Sequence, residues 1–108
     1  MYLAIVVWDL RESSATVEGL RDYLRDHAVD AYAAVPGLTA KYWFANPGSQ
    51  TWGAVYVLES AAPLLEINRV SRAVELIGYP PTSTSLFDLE AVAMGERYGS
   101  ATWTRERA

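Results

Sequence analysis

Residues 2–10, YLAIVVWDL, constrain the fold more than any other stretch. Their β-branched and aromatic side chains make them a strand. Alternate residues of a strand point to opposite faces, here Leu3, Ile5, Val7, Asp9 and Tyr2, Ala4, Val6, Trp8. Both sets are largely apolar. A strand with one side in water alternates apolar with polar, so this strand needs a cover on each side.

The downstream sequence supplies material for one cover. Ser13 and Ser14 are the expected N-caps of a helix, with Glu18 near its positive end. Val17, Leu20, Leu24, Ala28, Ala31 and Val35 recur at helical spacing, which predicts an amphipathic helix over 15–34 that Pro36-Gly37 stops. Residues 38–45 (LTAKYWFA) and 51–58 (TWGAVYVL) read as a hairpin. Between them Asn46-Pro47-Gly48-Ser49 suits a type II turn, with Gly48 supplying positive φ. Gly53 marks a bulge or a close approach to the backbone. Ser60 and Pro63 open a second helix whose buried stripe is Leu64, Ile67, Val70, Val74 and Ile77, and Gly78 ends it. Residues 84–93 (TSLFDLEAVA) read as a fourth strand. Residues 1–94 form the predicted domain and 95–108 a tail, part of which Tyr98 and Trp103 suggest docks on a surface.

The order strand, helix, strand, strand, helix, strand predicts an α+β fold, a ferredoxin-like βαββαβ sandwich with both helices on one face of an antiparallel sheet. Strand parity sets Tyr2, Trp8, Tyr42, Phe44, Trp52 and Tyr56 apart from much of the aliphatic set, and those aromatics are expected on the face that the helices leave bare. Monomers seldom expose a patch that large. The expected cover is the sheet of a second copy related by a two-fold axis, giving a homodimer, a dimeric α+β barrel. The alternative is the C-terminal tail folded back.

Composition narrows the function classes. A chain of 108 residues holds one core. Its net charge is −4 and no basic stripe exists, so neither a nucleic-acid partner nor a membrane-surface partner is expected. Cysteine is absent and histidine occurs once, which removes thiolate chemistry and argues against a metal site. No GxGxxG or P-loop signals a cofactor. With no basic segment before the first strand, and an apolar run of only Leu3 to Trp8, a cytoplasmic protein is expected.

Between residues 35 and 95 the sequence carries Pro36-Gly37-Leu38, Lys41-Tyr42-Trp43, Gly53 and Tyr56, a helix ending at Gly78, and Phe87-Asp88. This pattern resembles the YdhR-type monooxygenases of the dimeric α+β barrel superfamily. The resemblance implies oxygenation of small aromatic or polyketide-like compounds without flavin, haem or metal. A polyketide cyclase or isomerase on the same scaffold, or a small-molecule-binding dimer without turnover, are the alternatives. Phe44, Trp52 and the tail depart from the family pattern.

Several residues are candidates for chemistry. His27 falls on the predicted buried stripe of the first helix, where an imidazole serves as a general base or makes a structural hydrogen bond. Trp43 and Tyr56, at positions matching the family's Trp and Tyr, suit stacking on and hydrogen bonding to a planar substrate, or simply fill the sheet face. Lys41 shares the face of Trp43 and suits stabilising an enolate or phenolate; the plainer role is a solvated edge residue. Trp8, Asn68 and Arg72 complete the substrate-binding candidates, with helix-surface solvation the plainer role for Asn68 and Arg72. Asp9 and Asp88 are expected to pair with Arg69, Arg72 or Lys41.

Overall fold

Four strands form one sheet in the computed structural model, which describes residues 1–60 and 72–95 and the backbone of 102–104. Strands β1 (Tyr2–Asp9), β2 (Leu38–Asn46), β3 (Thr51–Leu58) and β4 (Ser83–Asp88) lie in the order β2-β3-β1-β4 with every neighbour antiparallel. Helical turns α1 (Val17–Tyr23), a π turn (Leu24–Ala28) and α2 (Val29–Ala33) link β1 to β2, and α3 (Ala73–Ile77) precedes β4. This small α+β architecture is compatible with a ferredoxin-like fold. Among the described residues no helix is long and apolar enough to cross a membrane. Pro63, Leu64, Ile67 and Val70, expected in the second helix, lie outside the described residues.

The core occupies the helix side of the sheet as two clusters. One joins Ala4, Tyr56 and Leu58 to Ala28, Tyr32 and Val35. The other joins Trp8 and Trp52 to Leu10, Val17, Leu20 and Ile77. Val6, Leu24 and Trp43 pack against both. Full burial of an aliphatic residue such as Leu58 contributes about 1.5–3 kcal/mol.

The aromatic set does not share one face. Trp8, Trp52 and Tyr56 are buried under the helices, whereas Tyr42 and Phe44 stand on the opposite face. Small partners explain the difference: Ala4 and Ala54 on the same face leave room for large rings beside them. The uncovered face consists of half-buried Leu3, Ile5, Val7, Val55 and Val57 with the more exposed Tyr42, Phe44 and Phe87. It is therefore apolar but mainly aliphatic. Phe44 lies across Gly53, where a Cβ would also come within 2.6 Å of the Val6 carbonyl oxygen. That close approach, not a bulge, is why glycine occupies the site.

Local chemistry differs from expectation at four points. Thr16, not Ser13 or Ser14, caps the first helix, its Oγ1 accepting from the Gly19 N–H at 3.1 Å. The type II geometry occurs at Val35–Leu38 instead of 46–49: Pro36 leads, Gly37 takes φ 80°, and the Leu38 N–H donates to the Val35 carbonyl. In the hairpin, the Asn46 carboxamide accepts from the Gly48 N–H at 3.0 Å, and the left-handed residue is Gln50, φ 52°. The fourth sheet strand ends at Asp88. Residues Ala91–Ala93 form β5, which pairs with β6 (Thr102–Thr104), so the tail contributes a strand to a separate ribbon. Gly78 does end α3, with φ 102°.

Candidate functional site

Lys41 is the only lysine of the chain, and its position follows from one extra residue. Near the start of β2 the register shifts: Leu38 stands opposite Leu58, but Ala40 stands opposite Val57, so Thr39 is inserted. Past the bulge, Lys41 faces Tyr56 and Trp43 faces Ala54. Without it, Ala40, Tyr42 and Phe44 would take the helix side, because a one-residue slip exchanges the two faces of a strand.

The bulge thus turns the Lys41 amine into an aromatic nest. Nζ lies 3.4 Å from the centroid of the Tyr32 ring and 4.5 Å from those of Trp43 and Tyr56. Tyr32 and Trp43 meet edge to face at 5.5 Å, and Tyr32 and Tyr56 are tilted at 6.5 Å. Tyr32 comes from α2, Trp43 from β2 and Tyr56 from β3, so three elements fix the rings. Among the described residues no carboxylate pairs with Lys41.

Burial dominates the electrostatics. Taking the ammonium out of water lowers the Lys41 pKa from 10.5 to about 7. The ring faces pull the other way, since each attracts a cation. Tyr56 moves oppositely: burial first, then the neighbouring Tyr32 and the hydrogen bond between the two, hold its phenol well above the usual range. Tyr56 therefore stays protonated at neutral pH and suits donation, while Lys41 suits accepting a proton.

A groove of about 310 Å³, open to solvent, runs between Val29, Tyr32 and Ala33 of α2 and Leu38, Lys41 and Trp43 of β2, so Lys41 lines it. That is the size of a small ligand site. A larger depression, about 410 Å³, lies at the far end of β1 beside Ser49, Thr51 and Thr82. Its cation is already used: Arg11 closes onto Asp9 through Nε at 3.0 Å to each oxygen and through a second nitrogen at 2.6 Å. Those bonds lower the Asp9 pKa from 3.8 to about 2. The smaller groove therefore has the freer chemistry.

The structure brings Lys41, Trp43 and Tyr56 together and leaves His27, Trp8 and Arg72 elsewhere. His27 is exposed, its ring 6.0 Å from that of Tyr23, and not on the buried stripe. The reason is the π turn, in which the Val29 N–H bonds to the Leu24 carbonyl. One extra residue per turn makes the stripe Leu20, Leu24, Ala28, Tyr32, Val35 and turns His27 outward. Trp8 sits in the second core cluster, 5% exposed, its Nε1–H donating to the Tyr79 carbonyl at 2.9 Å. The Tyr79 hydroxyl in turn donates to the Asp9 carbonyl. Arg72 is exposed at the start of α3 and pairs with Glu75 at 3.3 Å. Asn68 and Arg69 lie outside the described residues. Asp9 takes Arg11, two residues on, in place of the partners expected for it. The residue that sequence reasoning missed is Tyr32, whose signal is the ordinary four-residue step from Ala28; Ala31, expected on the stripe, is exposed instead.

Comparison with known proteins adds a fold relationship. No family model matches the chain, and no curated protein matches it. Among solved structures it is similar to NE2512 of Nitrosomonas europaea, a protein of unknown function, with a TM-score of 0.65 and 20% identity over 87% of this chain and 93% of that one. At that identity the likeness shows a shared fold.

Proposed function

We propose that this protein is a cofactor-independent monooxygenase for a small aromatic or polyketide-like compound, with Lys41 as its base. One observation carries the reading: a half-buried amine with no carboxylate partner among the described residues, walled by three aromatic rings, on a residue that lines a groove. A planar phenol or 1,3-dicarbonyl compound enters between α2 and β2 and stacks on Trp43. The Lys41 lone pair takes an acidic proton from it. The resulting ammonium is held by the ring faces and stabilises the carbanion or phenolate it has created. Tyr56, kept protonated, donates toward substrate oxygen.

The oxygenation step follows from the resemblance to YdhR-type monooxygenases. The electron-rich carbon donates to dioxygen, a C–O bond forms, and the peroxide oxygen collects the proton. Loss of water then leaves a carbonyl. For a methylene substrate the balance is R₂CH₂ + O₂ → R₂C=O + H₂O, and the substrate supplies every electron.

The test is oxygen uptake with anthrone or a dihydroxynaphthalene, comparing the native chain with Lys41→Met. General-base loss is expected to lower the rate by about 10²-fold or more. Product formed without oxygen uptake would assign a cyclase or isomerase instead, and binding without product a non-catalytic role.

The second part of the proposal is a homodimer. The bare sheet face, with Tyr42 at 56% and Phe87 at 52% exposure among aliphatic neighbours, suits another copy of the same face. Sedimentation at micromolar concentration should give twice the chain mass, and Val55→Lys should halve it. A native chain that sediments as a single copy would overturn the dimer.

A further inference from the structure

We infer that Lys41 is also a nucleophile, forming an imine with small aromatic aldehydes or ketones that enter the groove between α2 and β2. The inference shares with the proposed function the groove and the reading of Lys41 as an amine uncharged near neutral pH, and nothing of the oxygen step.

A lysine forms an imine when its amine is uncharged, reachable and close to a surface that holds the carbonyl compound. Reach is supplied by the groove, which Lys41 itself lines together with Tyr32 and Trp43. A flat hydrophobic wall for an aryl ring is supplied by Trp43 and Leu38. Among the described residues, the groups facing the amine are Tyr32 on α2, Tyr56 on β3 and Trp43 on its own strand. None is an acid that would hold the ammonium in an ion pair, and burial lowers its pKa to about 7.

The chemistry balances without an oxidant or reductant. The amine lone pair attacks the carbonyl carbon and a C–N bond forms. The carbonyl π pair moves to oxygen, which is protonated as nitrogen loses a proton. The carbinolamine then expels its hydroxyl as water, giving R–N=CHR′ + H₂O from R–NH₂ + R′CHO. Tyr56, kept protonated by burial and with its ring 4.5 Å from the reacting nitrogen, is the group assigned to protonate the departing oxygen.

The sequence makes the test clean, because the only other primary amine is the N-terminus. The full chain is incubated with benzaldehyde and sodium cyanoborohydride at pH 7, and adducts are mapped by peptide mass spectrometry. The expected result is a single benzyl adduct at Lys41, formed at least ten-fold faster in the folded chain than in urea. A folded-state rate no faster than in urea, or an adduct confined to the N-terminus, would overturn the inference. Lys41→Arg removes the site while keeping a cation in the nest. If that variant keeps the wild-type adduct yield, the inference fails; if it unfolds, the folded-against-urea comparison on the native chain still decides. Oxygen uptake reads the other proposal separately. An adduct with no oxygen uptake leaves the imine standing and removes the monooxygenase, and oxygen uptake with no adduct does the reverse.

Discussion

Replacing Lys41 with methionine tests whether the nest holds an amine or an ammonium. The two side chains are similar in length, so the change mainly removes a charge from the space between Tyr32, Trp43 and Tyr56. In the unfolded chain the lysine titrates near 10.5, and in the folded chain burial lowers this to about 7. Below pH 7 both states hold the proton, and the fold bears the full cost of burying it. Between 7 and 10.5 the unfolded state binds more protons, so native stability rises with pH. From pH 7 to 9.5 the linkage amounts to about 3 kcal/mol if burial acts alone. The rings favour the cation and together reduce that figure by up to about 2 kcal/mol. The expected net rise is about 1–3 kcal/mol in the native chain relative to Lys41→Met, since other titrating groups are common to both and cancel. Urea unfolding at pH 7, 8, 9 and 9.5 reads it, as a midpoint difference that moves by roughly 0.5–2 M across the range. At pH 6 the methionine variant should be the more stable of the two. If the two stability curves run parallel from pH 7 to 9.5, the ammonium stays charged inside the nest. The base and the nucleophile would then both be lost.

Gly53→Ala should destabilise by about 1–3 kcal/mol, because its Cβ collides with Phe44 and with the Val6 carbonyl; adding Phe44→Leu should recover part of the loss in a urea titration. Thr16→Ala removes the cap of α1 and should cost about 1 kcal/mol by the same measurement, with Thr16→Asn close to neutral. Arg11→Ala frees the Asp9 carboxylate, so its pKa, held at about 2 chiefly by the Arg11 hydrogen bonds, should return toward 3.8 in a carboxyl NMR titration; an unmoved value would mean that Arg11 is not the cause.

What the sequence could and could not disclose divides along local and non-local causes. Lys41 and Trp43 share a face because parity is local, and that much is legible in five residues of β2. Which face they share depends on Thr39 being squeezed out of the ladder, a consequence of how Leu38 meets Leu58 across the sheet. The first helix behaves the same way. Its stripe reads correctly at Leu20, Leu24, Ala28 and Val35, whereas past the π turn His27 stands in water and Tyr32, not Ala31, enters the core. The aromatic parity argument failed for a different reason. Both faces of β1 are apolar, so nothing local says which one the helices cover, and the answer lies in the small residues that make space for Trp8, Trp52 and Tyr56.

One departure from the chain's usual placement of charge stands at Lys41, where the ring contacts offset the cost of burial only in part. Elsewhere the chain is consistent: Arg11, Arg21, Arg25 and Arg72 stay at the surface in ion pairs, and no polar or charged residue ranks among the buried ones described. Its single lysine is instead turned inward by a bulge, among rings that would pack as well around methionine. Surface pairs of the Arg11 kind contribute little to stability, and a half-buried unpaired amine lowers it. A sequence tuned only to fold would not keep that side chain there. Departures of this kind concentrate where a protein uses the strained group, so the cost of keeping Lys41 in the nest is itself an argument that the groove before it has an occupant.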